Sequence, residues 1–203
     1  MLSTIDYLVA VLIGFFAGIF LIPTLLNLGV RDKVLLLALP WALAGVYALG
    51  IKTAAFLARR FGFITQFSKF VAVGVLNTAI DFGVLNLLSA ATGVTSGFVV
   101  GGVNVPGFAA AVSNSYALNK FWVFQDRRGG LFEDAPKFLL VTGASAVLNS
   151  GVVVLVTTYG SSFLPLPPHV LLNVAKASAV ILNLAWNFFG YKFFVFRSAL
   201  PRK

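Results

Sequence analysis

Residues 34–46, VLLLALPWALAGV, contain no charged side chain and no alternation of apolar with polar positions. A barrel strand with one face to lipid and one to a lumen needs that period-two alternation, so the stretch reads as helix. With its C-terminal flank it covers 34–57, more than the roughly 20 helical residues needed to cross a ~30 Å hydrocarbon core. Five further stretches read the same way, at about 5–28, 69–91, 98–121, 138–159 and 170–191. Together they predict an all-α, polytopic membrane helical bundle of six transmembrane helices.

The composition agrees. Of 203 residues, 59% are hydrophobic and 10% charged, with mean hydropathy +0.95; a soluble domain carries roughly 25% charged residues. A soluble enzyme, a disordered tail and a collagen-like rod are excluded. The net charge of +9 would suggest a nucleic-acid partner in a soluble protein. Here the basic residues sit between apolar runs, so they read as lipid-headgroup contacts and orientation signals, with no nucleic acid involved. There is no cysteine and a single histidine, His169, so thiol chemistry is excluded and neither a metal nor a cofactor is expected. The leading MLSTID lacks Lys and Arg, and the apolar run behind it exceeds a signal-peptide core; a retained span is expected.

Sidedness follows from where the basic residues fall. Lys52, Arg59, Arg60 and Lys69 flank the second connection, Lys120, Arg127, Arg128 and Lys137 the fourth, and Lys192, Arg197, Arg202 and Lys203 follow the last span. Only Arg31 and Lys33 fall on the other side, and Lys176 lies inside a span. The positive-inside rule therefore places both termini in the cytoplasm of a multi-pass protein of the plasma or inner membrane.

The chain also repeats itself. An offset of 72 residues aligns Asn77 with Asn149, and Lys120-Phe121-Trp122-Val123-Phe124 with Lys192-Phe193-Phe194-Val195-Phe196. Each repeat, about 66–126 and 138–198, is a pair of spans. An even number of spans per repeat predicts that the two copies share one orientation. Basic and aromatic ends shared by any two membrane hairpins are the competing explanation.

At these residues the chain resembles a family. Lys69-Phe70, Gly74, Asn77-Thr78 and Asp81-Phe82 look like the first span of GtrA-like proteins, and Asn114-Ser115-Tyr116-Ala117-Leu118-Asn119-Lys120 with the KFWVF exit looks like the second. Lys137-Phe138, Asn149, Ala175-Lys176, Asn183 and the Asn187 to Phe196 stretch are similar to the second half. The resemblance covers about 66–198. It implies a four-span domain, set here at 61–203, concerned with moving polyprenyl-phosphate-linked sugars across the membrane. Residues 1–60 then form two extra N-terminal transmembrane helices outside the family pattern.

Several residues are candidates for the chemistry. Asp81 is the one acidic residue of the third span, and an ionised carboxylate at mid-bilayer costs about 2.5–3.5 kcal/mol. Asn77, one turn earlier, projects from nearly the same face. Asp81 reads as a proton-coupling or counter-ion site, or as a structural carboxylate bonded to Lys176 or to nearby amides. On the sixth span Lys176, Asn183 and Asn187 fall within about 20° of one line, a stripe suited to a phosphate and to sugar hydroxyls. Lysine snorkelling and helix-to-helix amide bonds are the plainer readings.

The fourth span ends in Ser113, Asn114, Ser115, Tyr116, Asn119 and Lys120, with Ser115 and Asn119 on one face. Lys69, Lys120 and Lys192 fall at one depth, suited either to a lipid phosphate or to ordinary cytoplasmic anchoring. Trp122, Phe124, Phe194 and Phe196 read as an interfacial aromatic belt. Residues 62–67 read as an interfacial amphipathic segment. Pro23, Pro40 and Pro106 are possible kinks, and Gly97, Gly101 and Gly102 possible close-packing positions. The acids Asp126, Glu133 and Asp134 share a loop with Arg127 and Arg128, which reads as a solvated mixed-charge loop before a metal site.

Three functions fit to different degrees. The leading one is flipping of a polyprenyl-phosphate-linked sugar, or of polyprenyl phosphate, for cell-surface polysaccharide or glycan modification. A polar groove would shelter a head group that cannot cross hydrocarbon unaided. The others are an accessory scaffold for a membrane glycosyltransferase and a small proton-coupled multidrug transporter. Membrane lipids are partners in every case, and a homo-oligomer is compatible with each. Turnover chemistry is not expected: carboxylates are not clustered, no phosphate-cradling glycine loop precedes a lysine, and the one histidine lies outside the spans.

Overall fold

The computed structural model describes residues 2–94, 99–127, 130–163 and 168–196; some side chains within α4, α5 and α6, including those of Asn149 and Lys176, lie outside the description. Among the described residues there are six α-helices and no strand: α1 (Thr4–Asn27), α2 (Lys33–Leu57), α3 (Phe63–Thr92), α4 (Val99–Leu118), α5 (Ala135–Tyr159) and α6 (Pro168–Gly190). Single π-helical turns, Asn119–Val123 and Tyr191–Val195, extend α4 and α6. Thr4–Asn27, Lys33–Leu57 and Phe63–Thr92 are long and apolar enough to cross a membrane, and the Ala135–Leu148 part of α5 is apolar throughout. The chain is a polytopic all-α membrane protein.

Local chemistry sets the helix ends. Ser3 and Asp6 form a reciprocal capping box at the start of α1. The Asp32 carboxylate accepts from the N–H groups of Val34 (2.9 Å) and Leu35 (3.1 Å) to start α2. Arg31 donates to the Leu26 carbonyl at the end of α1 (2.7 Å), which also accepts from the Gly29 N–H (3.1 Å). Gly93, at φ 72°, stops α3. Residues 62–67, expected as a separate interfacial segment, differ: from Phe63 onward they are the first turns of α3. With no proline or helix-stopping glycine between 63 and 92, nothing interrupts the hydrogen-bond ladder.

The chain divides into two compact units, Met1–Gln125 and Asp126–Lys203. In the first, α1 packs on both α2 and α3, and α3 packs on α4. The inner and outer faces of α1 invert the pattern of a soluble helix. Asp6, Ala10, Ile13, Gly14, Ala17 and Gly18 are buried, whereas Ile5, Leu8, Leu12, Phe16 and Ile19 are exposed. Small residues inside and large apolar ones outside suit a helix solvated by lipid, where close backbone approach replaces the hydrophobic effect as the source of packing.

Glycines mark those approaches. A Cβ on Gly14 would sit 2.6 Å from the Leu43 carbonyl oxygen, and one on Gly18 would overlap the backbone of Pro40. Gly83 lies against the backbone of Phe20. Pro23, Pro40 and Pro106 all lie inside continuous helices. At the far end of α1 from Asp6, Asn27 donates to Asn86 Oδ1 (2.6 Å), and Asn86 donates to Thr24 Oγ1 (3.2 Å) and to the Phe82 carbonyl (2.8 Å).

The second unit is the hairpin of α5 and α6. Gly190 faces the side chain of Val141. Trp186 donates its indole N–H to the Val141 carbonyl (3.2 Å), and Tyr191 and Thr142 share a hydroxyl–hydroxyl bond (2.9 Å). Phe138 stacks on Tyr191, with ring centroids 4.7 Å apart.

Candidate functional site

The polar residues of α3 and α4 meet in two steps along the helix contact. Asn114 Nδ2 donates to Asn77 Oδ1 (2.7 Å). One turn further along α3, Asp81 lies against Gly107, where a Cβ would stand 2.7 Å from the Asp81 carbonyl oxygen and 3.1 Å from its Oδ1. Asn77 and Asp81 are four residues apart on α3, and Gly107 and Asn114 seven apart on α4, so both steps use one face of each helix. The sequence placed Asn77 and Asp81 on a shared face, and the helix contact uses that face. Asp81 Oδ1 is buried without a hydrogen-bond partner among the described residues, and the side chain of Lys176, one of the partners considered for it, lies outside the description.

Below this contact α4 changes register. Asn119 donates through Nδ2 to the Ser115 carbonyl (2.8 Å) and to Ser115 Oγ (3.2 Å), as their shared face predicts. Its own carbonyl then accepts from the Phe124 N–H (2.9 Å), five residues on, closing the π turn. Such turns often mark functional positions. Asn119 and Lys120 are each 1% exposed, and Tyr116 is buried beside them in sequence.

Lys69, a candidate phosphate ligand, is engaged from an unexpected direction. Its ammonium forms an ion pair with Asp6 of α1. The same Asp6 oxygen accepts from the Trp122 indole N–H (3.1 Å), and the Lys69 ammonium stands 5.3 Å from the centre of the Trp122 ring. The second Asp6 oxygen accepts from the Ser3 N–H (2.8 Å) and hydroxyl (3.1 Å). Asp6, Lys69 and Trp122 are all buried. Sequence reasoning missed Asp6, because a carboxylate at the head of a span reads as a helix cap; the signal was its place on the same side of the membrane as Lys69.

The aromatic belt also needs correcting. Trp122, Phe124 and Phe196 are buried and only Phe194 of the four is exposed. The π turns carry these rings inward, where Trp122 meets the carboxylate of Asp6.

In the second unit Asn187 donates through Nδ2 to Ser145 Oγ (2.9 Å). Among the described residues the oxygens of Asn183 and Asn187 are buried without partners. The π turn recurs here at the same offset of 72 residues: the Phe196 N–H donates to the Tyr191 carbonyl (2.8 Å), as Phe124 does to Asn119. Lys192 is half-buried, its ammonium 5.5 Å from the centre of the Phe188 ring and 5.8 Å from that of Phe193. The side chain of Lys176 lies outside the description, as do Gly97 and the surroundings of Gly101 and Gly102. The loop acid Glu133 accepts from the Gly130 N–H (3.0 Å), and Asp134 stands 4.0 Å from Lys137.

Both helix pairs thus carry polar side chains on their inner faces and end in the same basic-aromatic π turn. The GtrA/DPMS transmembrane-domain model matches residues 69–196. The chain belongs to that family. The GtrA/DPMS match begins at Lys69 and takes in both helix pairs and both π turns; α1 and α2 precede it. The chain is also similar to the uncharacterized membrane protein YngA of Bacillus subtilis (strain 168), 29% identical over 137 residues, which is 68% of this chain and 83% of that protein. No solved structure matches it.

Proposed function

We propose that this protein translocates a polyprenyl-phosphate-linked sugar, or the polyprenyl phosphate itself, across the membrane without chemical turnover. The observation that carries the reading is the polar step on the α3–α4 contact, where Asn77, Asn114 and Asp81 lie on the facing sides of the two helices. Backbone packing alone does not call for a carboxylate there, and a buried carboxyl oxygen without a partner is costly in hydrocarbon. A hydroxyl-rich head passing along this face would offset that cost while the polyprenyl tail stays in lipid. GtrA/DPMS membership supports the substrate class. In this reading residues 61–203 form the transport domain and residues 1–60 an added helix pair, with both termini cytoplasmic in the plasma or inner membrane.

Proteoliposomes containing only this protein test the proposal. The glycosyl head should appear in the opposite leaflet at a rate that falls at least tenfold in Asp81→Ala and Asn119→Ala. Unaltered rates in both variants would refute the site. Binding of a membrane glycosyltransferase with no translocation by the wild type would favour the scaffold reading. Because the chain has no cysteine, single-cysteine labelling reads the orientation directly. Gly130→Cys should label from the cytoplasmic side and Ser162→Cys from the opposite side.

A further inference from the structure

The buried polar atoms without partners share a chemistry. Among the described residues they are Asp81 Oδ1, Asn119 Oδ1, Asn183 Oδ1, Asn187 Oδ1 and the Tyr47 hydroxyl. Four of the five are carboxyl or carboxamide oxygens. For Asn119 the assignment is fixed by the neighbour: its Nδ2 meets the Ser115 carbonyl, which can only accept, so the amide nitrogen must point there and the oxygen is left over. The main-chain carbonyl of Asn119 is already used in the π turn. In the second unit the Asn187 amide meets Ser145 Oγ, a hydroxyl that can donate as well as accept, so there the neighbour does not fix which end of the amide is left over.

An amide oxygen accepts hydrogen bonds and donates none. A glycosyl phosphodiester at neutral pH also offers only acceptors, so a phosphate brought to these oxygens would meet lone pairs with lone pairs. Sugar hydroxyls donate. Leaving such an acceptor buried and unmet costs about 1–3 kcal/mol, which a hydroxyl donor would recover. Resting on the proposed transport of a polyprenyl-linked head, we infer that Asn119 Oδ1 is an acceptor subsite for a hydroxyl group of the glycosyl head, and that it is not a phosphate ligand. The phosphate is left to basic side chains. Asn119 then sets a preference for a glycosylated over a bare lipid.

The test compares two lipids, polyprenyl phosphate and polyprenyl-phosphate hexose, on the full-length protein in nanodiscs. The readout is the ratio of the two dissociation constants. Asn119→Leu keeps the branched shape and removes the acceptor; Asn119→Ala removes it with a smaller side chain, so misfolding of one variant leaves the other to decide. Each should lower the preference for the hexose lipid about tenfold, the value of one hydrogen bond to a buried acceptor. An unchanged ratio in the variants, including an equal loss for both lipids, would overturn the inference and leave the transport reading standing. Displacement of the hexose lipid by a dodecylammonium salt would also overturn it, by showing that the oxygen takes a cation. A wild type that binds neither lipid would remove the transport reading, and the inference with it.

Discussion

The first and second units finish their helix pairs with the same π turn, 72 residues apart, yet secure it by different means. In the first, the turn brings Trp122 to a carboxylate that also neutralises Lys69, and that carboxylate comes from α1, outside the GtrA/DPMS match. In the second, Tyr191 begins the turn, stacking on Phe138 and bonding Thr142, with no acid among these contacts. The contrast shows what the added N-terminal helices do locally. They supply the counter-charge for a lysine that begins the family domain, so Lys69 is held by protein.

The largest expected effect breaks that contrast at its source. Asp6→Ala leaves the Lys69 ammonium buried without its partner, and should cost about 3–5 kcal/mol of stability in a detergent or nanodisc melt. Lys69→Met should cost a similar amount by stranding Asp6. The double variant Asp6→Leu/Lys69→Met should recover most of the loss, because packed apolar groups replace a buried pair at little cost. Losses that simply add would mean the two side chains do not act as a pair.

A second comparison uses glycine. Gly83→Ala and Gly107→Ala drive a Cβ into the backbone of Phe20 and of Asp81, neither of which can rotate away. Each should destabilise by about 1–3 kcal/mol. In the second unit the Cβ of Gly190→Ala would meet Val141 Cγ1 at 2.7 Å, and a side chain can turn. Its cost should be smaller, and thermal melting of the three variants side by side measures the difference. The smallest effect is Tyr191→Phe, which removes the bond to Thr142 while keeping the stack on Phe138. About 0.5–1.5 kcal/mol should be lost, with no effect on the first unit's ion pair.

How far the sequence carried the reading depends on which physical signal was asked for. Length and apolarity place a span, and the six helices lie where runs such as 34–57 and 170–191 put them. Facing is harder. Helices in lipid are apolar on most sides, so nothing in the KFWVF or KFFVF segments tells which ring turns inward, and Trp122 read as an interfacial anchor. Periodicity did place Asn77 with Asp81 and Ser115 with Asn119, because four-residue spacing fixes a face whatever the solvent. Gly14, Gly18, Gly83 and Gly107 carry the backbone contacts, and glycine is common enough in membrane helices that only the neighbour's backbone reveals which ones matter. Asp6 and Lys69 are 63 residues apart, and pairing them takes the packing of α1 on α3, which no local pattern encodes.

The central claim is that the α3–α4 polar contact is a transport site and does more than bind two helices together. Replacing both members of its hydrogen-bonded pair, Asn77→Leu with Asn114→Leu, separates the two roles, since an apolar pair of similar volume can be close to neutral for packing. In proteoliposomes the account predicts a melting temperature within a few degrees of wild type and a head-group translocation rate reduced at least tenfold. Full translocation by the double variant would contradict it.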